Sequence, residues 1–355
     1  MRITCIAGAR PNFMKVKPIL DALQAAGHET ELIHTGQHYD AAMSDIFFTD
    51  LGLRPPDVHL GVGSGSHAEQ TARVMVAFEK HLEGGHPDWV VVVGDVNSTM
   101  ACALVAAKAQ VRVAHVEAGL RSGDWTMPEE VNRVVTDRVS NLLLAPADDA
   151  VEHLRREGFS DDQIVLVGNV MIDTLMANVG RARNRPVLHE LGLEPGGYGL
   201  LTLHRPSNVD DPEVLAGLIE AVNKIAVELP IVFPAHPRTI SQLPADSLHQ
   251  QVVVIEPRGY LDFLALQDGA RLVLTDSGGV QEETTVLGVP CLTLRKNTER
   301  PITITEGTNQ LVGTDPIRIV HAALKVLADG VAPRHPALWD GRAGARCVEA
   351  IEAFQ

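Results

Sequence analysis

Two acidic residues follow neighbouring β-rich runs in the first half of the chain, where carboxylates could perform acid–base chemistry. Asp95 comes just after one buried β-branched run, and Glu117 ends the next. If these consecutive strands pair in parallel, their ends lie about 5 Å apart, one strand spacing. A further pair of acids, Glu129-Glu130, opens the following helix. Carboxylates held this close raise one another's pKa, so that one can serve as an acid while another serves as a base.

Basic residues near the end of the first strand extend this candidate acid–base group. Arg10 and Lys15 flank the start of a helix, whose positive dipole end already favours anions. Simpler interpretations stay open for three residues. Lys15 could be a solvated helix residue, Glu130 a complement to the helix dipole, and Asp95 a helix N-cap.

The second half of the chain carries a different set of residues after its strands. His204-Arg205 and His236 each follow a predicted strand, and Asp276-Ser-Gly-Gly279 leads from another strand into a helix. A Ser-Gly-Gly helix start offers unobstructed backbone N–H groups to a phosphate. Glu283, farther along that helix, could accept two hydrogen bonds from a ribose diol. A single histidine here is more often a satisfied loop residue, but three such strand ends together predict a nucleotide-diphosphate site.

The elements that position these residues alternate along the chain. Predicted strands and amphipathic helices succeed each other up to about residue 180, pause over the linker-like stretch 181–197, and then resume. Strands separated by helices form βαβ units and hence parallel sheets, whose ligands lie beyond the carboxyl ends of the strands. The segment Ser66-His-Ala-Glu69 has the form of a capping box at one helix start. We therefore expect an α/β protein with two parallel-sheet domains, each about half of the chain.

Composition excludes several classes of protein. The 355 residues are too many for one ordinary core, and a hydrophobic content of 45% excludes a disordered chain. The formal net charge of −15 argues against a nucleic-acid groove. The four cysteines include no CxxC pair, the apolar runs are far shorter than a membrane span, and the N-terminus carries no signal-peptide pattern. These features predict a cytoplasmic protein without a nucleic-acid or membrane partner.

Seven segments spread along the chain form a specific combination: Gly8-Ala-Arg-Pro, Gly94-Asp95, His115-Val-Glu-Ala-Gly-Leu-Arg121, Pro128-Glu-Glu, Asn132-Arg133, Thr275-Asp-Ser-Gly-Gly-Val-Gln-Glu-Glu283 and Thr298-Glu-Arg-Pro301. This combination resembles the non-hydrolysing UDP-N-acetylglucosamine 2-epimerases and covers nearly the whole chain. The resemblance implies a GT-B fold, in which two Rossmann-like domains bind the nucleotide sugar in the cleft between them. We expect these domains at 1–170 and 171–335, with a C-terminal helix at 336–355 packing back on the first.

The resemblance also implies roles for individual residues. It assigns acid–base work near the sugar to Asp95, Glu117 and Glu129, with Lys15 and His204 as further catalytic residues. Positions that match substrate-binding residues are Arg10, Arg133, His204, His236, Phe263, Ser277, Gly278, Gly279 and Glu283. Of these, Glu283 matches a ribose-binding residue and Phe263 one beside the uracil. The resemblance implies no cofactor and no metal, and it favours a homodimer.

The reaction that the resemblance implies inverts C2 of UDP-N-acetylglucosamine to give UDP-N-acetylmannosamine. The C2 proton is not α to a carbonyl, so its direct removal would leave a poorly stabilised carbanion. Expulsion of UDP from C1 places positive charge on the ring and makes the C2–H bond acidic. Loss of that proton gives a 2-acetamidoglucal, and readdition of UDP with protonation from the other face gives the product.

Three departures from the family's pattern keep the substrate and its role as an activator open. Ser207 and Ile302 stand where Glu is common in relatives, and Gln37-His-Tyr-Asp40 differs from the Gln-His-Arg form of relatives that a second substrate molecule activates. The stretch that begins at His204 resembles relatives acting on UDP-diacetamido-uronic acids. A uronate 2-epimerase, a hydrolysing 2-epimerase, a GT-B glycosyltransferase and a non-catalytic nucleotide-sugar sensor are the alternatives. The three carboxylates together count against the last two.

Overall fold

The computed structural model describes residues 1–36, 50–243 and 247–354, so that the Gln37-His-Tyr-Asp40 segment, which departs from the activator-binding form, lies outside the described residues. The chain divides into two compact units. The first comprises Met1–Ala177 and Ala337–Gln355, and the second comprises Asn178–Pro336. Within the described ranges, no helix combines the length and the apolar character needed to cross a membrane.

The first unit is built on a sheet of seven parallel strands. Numbered along the chain, they are β1 (Arg2–Ala7), β2 (Glu29–His34), β3 (Val58–His59), β4 (Trp89–Val93), β5 (Arg112–Val116), β6 (Leu142–Ala145) and β7 (Ile164–Leu166). Their order across the sheet is β3-β2-β1-β4-β5-β6-β7. Every residue of β4 and β6 is buried, as expected of parallel strands that helices cover on both faces.

Helices connect these strands and supply the rest of the first core. They are α1 (Arg10–Ala25), α2 (His67–Leu82), α3 (Asn97–Lys108), α4 (Pro128–Val139), α5 (Asp148–Arg156) and the first part of α6 (Val170–Arg183). The predicted capping box at the start of α2 is confirmed, because the Ser66 side chain accepts from the Glu69 N–H while Glu69 reaches back. Val74 and Phe78 on the apolar face of α2 are fully buried against the sheet core.

The C-terminal helix, α15 (Ala343–Ala353), belongs to the first unit and packs on α1. The Asp173 carboxylate caps it by accepting from the N–H groups of Ala343 and Gly344, at 3.0 and 2.7 Å. Phe354, just after the helix, lies edge-on to Trp89 with ring centroids 5.4 Å apart.

The second unit repeats the design with six parallel strands. They are β8 (Gly199–Thr202), β9 (Ile231–Pro234), β10 (Val252–Ile255), β11 (Leu272–Thr275), β12 (Cys291–Thr293) and β13 (Asn309–Leu311). Their order across the sheet is β10-β9-β8-β11-β12-β13. The sheet order reverses between β8 and β11, and an open α/β sheet binds its ligands at such a point.

The helices of the second unit, after the end of α6, are α7 (Val187–Glu190), α8 (Pro206–Val209), α9 (Pro212–Ala226), α10 (Pro237–Gln242), α11 (Tyr260–Asp268), α12 (Gly278–Leu287), α13 (Ile302–Thr305) and α14 (Pro316–Asp329). Helices α9 and α14 pack on one face of the sheet and share an apolar core with its strands. The prediction of a linker over 181–197 is wrong in part, since α6 runs to Arg183 and α7 occupies Val187–Glu190. The predicted class, α/β with two parallel sheets, is confirmed.

Candidate active site

The carboxyl ends of β4 and β5 bring two predicted acidic residues together. The predicted pairing of these strands is confirmed, with Val93 opposite Val116 and the Gly94 N–H donating to Val116 O at 3.1 Å. Asp95 and Glu117 therefore follow neighbouring strands at one edge of the sheet.

Lys15 of α1 forms a buried ion pair with Glu117, donating from Nζ to Oε2. The interpretation of Lys15 as a solvated helix residue is wrong, because its side chain is only 8% exposed. Gly94 lies against this pair: a Cβ at that position would be 3.2 Å from Lys15 Nζ and 3.3 Å from Glu117 Oε2. Gly94 also has a φ of +69°, which glycine adopts without strain. The close approach and the backbone conformation both require glycine here.

Glu117 has a left-handed backbone, with a φ of +68°. A residue with a Cβ adopts this region at a cost, and such strained residues cluster at functional sites. His115 and Gly119, two residues to either side, both contact Asp137 and hold Glu117 in this conformation.

Arg133 of α4 holds the side chain of Asp95, because its Nη2 donates to Asp95 Oδ2 at 2.5 Å. Asn132 Nδ2 donates to the Asp95 backbone carbonyl at 2.9 Å. The interpretation of Asp95 as a helix cap is wrong, since Val96 occupies the N-cap of α3 and no side chain caps it. Arg133 also contacts Glu130, and its predicted place on the substrate stays a prediction.

Glu130 is buried and ties the loop before α4 to that helix. Its carboxylate accepts from the N–H groups of Ser122 and Gly123 at 2.9–3.1 Å and from Arg133 Nη1 at 2.8 Å. Burial opposes its ionisation, but these donors hold its pKa below the usual range. Glu129, one residue earlier, is half-buried and has no hydrogen bond or ion pair within the part of the chain that the structure describes. The structure thus distinguishes a structural Glu130 from an available Glu129.

A buried network that sequence reasoning missed lies directly behind Glu117. His115 Nδ1 is 2.6 Å from Asp137 Oδ1, and His115 Nε2 is 2.9 Å from the Gly94 carbonyl. Arg121 Nη2 donates to Asp137 Oδ2 at 2.7 Å and also contacts Glu157. The segment from His115 to Arg121 is one of those that resemble the family, but its spacing does not predict the contacts with Asp137 of α4.

In the second unit, Asp276 organises the ends of β8 and β11. It is fully buried and accepts from the backbone N–H groups of His204 and Arg205, both at 3.0 Å. His204 Nδ1 lies 2.8 Å from Asp276 Oδ1, while most of the imidazole is exposed. Although burial opposes ionisation, the contacts from His204 and Arg205 hold the pKa of Asp276 below its usual range. Asp276 therefore aims the exposed imidazole of His204, a role that the sequence did not indicate.

Helix α12 begins where the predicted phosphate-binding residues stand. Ser277 is its N-cap, but the Ser277 hydroxyl does not cap the helix. A Cβ on Gly278 would lie 2.6 Å from Arg300 Nη1, so no larger residue fits without moving this guanidinium. Gly279 follows as the second helical residue. Such a helix start, with N–H groups that nothing in its own helix satisfies, is suited to an anion.

A buried cluster of arginines stands beside this helix start. Glu299 contacts Arg295 at 2.8 Å, Arg300 at 2.6 Å and Arg205 at 3.5 Å. Arg300 also contacts Glu282 at 2.8 Å. Three guanidinium groups therefore lie together near Gly278, a grouping suited to a multiply charged anion.

Glu283 lies deeper along α12 and is almost fully buried. Its carboxyl contacts Tyr260, and Gln267 Nε2 donates to it at 2.7 Å. Burial raises the pKa of Glu283 to about 7, despite these two hydrogen bonds.

Phe263, the predicted uracil neighbour, is half-buried on the same helix as Tyr260, and His236 is exposed after β9. Arg10 opens α1 in the other unit.

Comparison with known proteins agrees with the fold. The sequence model of the UDP-N-acetylglucosamine 2-epimerase family matches residues 21–352. The UDP-N-acetylglucosamine 2-epimerase of Methanocaldococcus jannaschii is 42% identical over 99% of each chain. Its crystal structure in complex with UDP-GlcNAc and UDP superposes with a TM-score of 0.90, covering 99% of each chain. The UDP-2,3-diacetamido-2,3-dideoxy-D-glucuronate 2-epimerase of Pseudomonas aeruginosa is also 42% identical, over 98% of this chain and 99% of its own.

The chain therefore belongs to the UDP-N-acetylglucosamine 2-epimerase family, and it is an enzyme of the epimerase class. Its fold is GT-B-like. The calicheamicin glycosyltransferase CalG4, at 16% identity and a TM-score of 0.54, shares that fold alone.

Proposed function

We propose that the protein inverts C2 of UDP-N-acetylglucosamine by eliminating UDP and adding it back. The observation that carries this proposal is the meeting of Asp95, Glu117 and Lys15 at the ends of β4 and β5. A glycosyl transfer would need one carboxylate and a separate acceptor. An epimerisation through a glycal needs one group to remove the C2 proton and another to return a proton to the opposite face.

In this proposal the first unit supplies the proton transfers. Breaking the C1–O bond releases UDP, and a carboxylate takes the C2 proton as the C1–C2 double bond forms. Protonation of C2 from the other face and re-formation of the C1–O bond complete the reaction. Asp95, Glu117 and Glu129 are the groups proposed for these steps, each of which contributes about 10²–10⁴-fold to the rate. Lys15 holds the Glu117 carboxylate in place by pairing with it.

The second unit, in this proposal, binds the UDP moiety and stabilises it as it departs. Ser277, Gly278 and Gly279 would present the α12 helix start to the diphosphate, with His204 and His236 beside it. The three arginines that contact Glu299 would stabilise the negative charge that develops on departing UDP. Glu283 would accept hydrogen bonds from the ribose diol, and Phe263 would lie beside the uracil. Arg10 of the first unit is proposed for the same diphosphate.

Proton NMR of the purified protein with UDP-N-acetylglucosamine in D2O tests this function. We expect deuterium at C2 and the appearance of UDP-N-acetylmannosamine. Release of free UDP and N-acetylmannosamine would instead make the protein a hydrolysing epimerase. Glu117→Gln, purified in parallel, is the matched control, because any product that it forms at the wild-type rate comes from a contaminating enzyme.

A UDP-diacetamido-uronic acid is the second candidate substrate. The observation that favours it is the equal identity, 42%, to relatives named for either sugar. The same NMR experiment with both nucleotides distinguishes them by the ratio of kcat/KM. Product from the uronate alone would replace the first proposal.

A further inference from the structure

Glu117 lies between two residues that contact one buried carboxylate. His115 Nδ1 is 2.6 Å from Asp137 Oδ1, and the Gly119 N–H donates to Asp137 Oδ2 at 3.1 Å. Asp137 has no exposed surface and also accepts from Arg121. The two donors to Oδ2, a guanidinium and a backbone N–H, favour the ionised carboxylate over the acid. Asp137 is therefore a carboxylate at neutral pH and only accepts hydrogen bonds.

His115 reaches from this carboxylate to the turn that carries Asp95. Its Nε2 lies 2.9 Å from the Gly94 carbonyl oxygen, which also only accepts. Nε2 must then carry a proton to bond Gly94, and Nδ1 must carry one to bond Asp137. Both nitrogens donate at once only in the imidazolium form of histidine.

The strained backbone of Glu117 explains why such an anchor is useful. A non-glycine residue with a φ of +68° persists only where its surroundings fix it. Residues two positions before and two positions after Glu117 are bound to the same Asp137 carboxylate. The Gly94 carbonyl, after β4, contacts the imidazole of His115 in β5, and this contact holds the ends of the two strands in register.

We propose that His115 is a positioning residue, held as an imidazolium between Asp137 and the Gly94 carbonyl, that fixes Glu117 and Asp95 for proton transfer. This inference rests on the proposed function, because those two carboxylates are its proposed acid–base groups. The charged groups that face His115 are Asp137 of α4, Arg121 with its partner Glu157, and the Lys15–Glu117 pair beside Gly94.

Nitrogen NMR of protein labelled with ¹⁵N-histidine measures the charge state directly. Comparison with the spectrum of His115→Gln assigns the His115 signals among the fifteen histidines of the chain. We expect both ring nitrogens to carry protons at pH 7.5, which a histidine that merely fills the core would not require. A single protonated nitrogen at that pH would overturn the proposal.

Kinetics of His115→Gln and Asp137→Asn then test the positioning role. Because misplacing a reacting group by about 1 Å costs on the order of 10²-fold, we expect kcat to fall by that factor with KM for the nucleotide sugar unchanged. Glu157→Gln is the matched control, since Glu157 contacts only the outer part of the network, and its kcat should equal that of the wild type. Urea unfolding of each variant identifies any that have not folded.

The failure of this inference and that of the proposed function are distinguishable. Wild-type kcat in a folded His115→Gln protein would overturn the positioning role and leave the epimerase proposal intact. An imidazolium signature in a wild-type protein that turns over neither UDP-sugar would overturn the proposed function, and with it the role of His115 in proton transfer.

Discussion

The two units place their charges in opposite ways. In the first unit the carboxylates that follow β4 and β5 each have a cationic partner, as in Lys15–Glu117 and Arg133–Asp95. In the second unit, three arginines gather around the single carboxylate of Glu299 beside Gly278. Separate ion pairs hold individual side chains in position, whereas clustered guanidinium groups attract an anionic ligand. This comparison supports the proposal that the first unit performs the proton transfers and the second binds the anion.

The variant with the largest expected effect on kcat is Glu117→Gln, which tests the role of the first unit. We expect kcat to fall by about 10³-fold, within the usual range for loss of an acid–base group, while UDP affinity stays at the wild-type value. The change also leaves Lys15 buried without its partner carboxylate, which costs about 3–5 kcal/mol of unfolding free energy. Steady-state kinetics, UDP titration and urea unfolding measure the three quantities.

A double variant separates the catalytic loss from the loss of stability. Lys15→Met combined with Glu117→Gln removes both charges, so the unfolding free energy should return towards the wild-type value while kcat stays low. Recovery of kcat in the double variant would show that the single variant failed only because it was unstable.

The same pair shows what sequence could and could not predict. Consecutive parallel strands place Asp95 and Glu117 at one sheet edge, and this follows from the β-rich runs alone. The burial of Lys15 does not follow, because its partner lies 102 residues away and helical spacing cannot distinguish a paired lysine from a solvated one. The sequence motif contains Asp276, but it does not predict the contact of Asp276 with His204. That contact requires β8 and β11 to pair, and the two residues are 72 positions apart in the chain.

In the second unit, the sharpest test is Gly278→Ala. The added methyl would lie 2.6 Å from Arg300 Nη1 and would displace a guanidinium of the cationic cluster. Overpacking of this kind costs about 1–3 kcal/mol, and we expect that cost in UDP binding. Calorimetric titration with UDP measures it. The effect on kcat at saturating substrate should be much smaller than that of Glu117→Gln.

Gly180→Ala is the matched control for this change. Gly180 is exposed on α6, and an added Cβ there meets no atom within 4 Å. Alanine should therefore leave UDP binding unchanged and add a few tenths to about 1 kcal/mol of helix stability. Equal losses of UDP affinity in the two variants would mean that the contact with Arg300 is not the cause.

Glu283 gives the second unit a measurable dependence on pH. Its pKa of about 7 in the folded chain exceeds its unfolded value of 4.5, so the folded state binds more protons between these pH values. Stability contributed by the protonated form is therefore present below pH 4.5 and is lost as pH rises to 7. The loss amounts to about 3 kcal/mol.

Glu283→Gln removes this dependence. Relative to the wild type, its unfolding free energy should rise between pH 5 and pH 8, as urea unfolding at the two values would measure. In the wild type, UDP should bind more tightly at pH 8 than at pH 6, because an ionised carboxylate accepts both hydrogen bonds of a ribose diol. The Gln variant should bind more weakly and equally at both pH values, and a matching pH trend in that variant would assign the effect to another group.

The smallest effect on kcat is expected for a change at the start of α2, which tests how far the site of the first unit extends. Ser66→Ala removes the cap of α2, which should cost about 1 kcal/mol of unfolding free energy. Gln70, one turn along α2, accepts from Asn97, and Asn97 in turn accepts from Asn132, which donates to the Asp95 carbonyl. If the first unit is organised only by its ion pairs, kcat stays at the wild-type value in this variant. A fall in kcat with an intact fold would mean that this amide chain also positions Asp95, and that the site extends into α2.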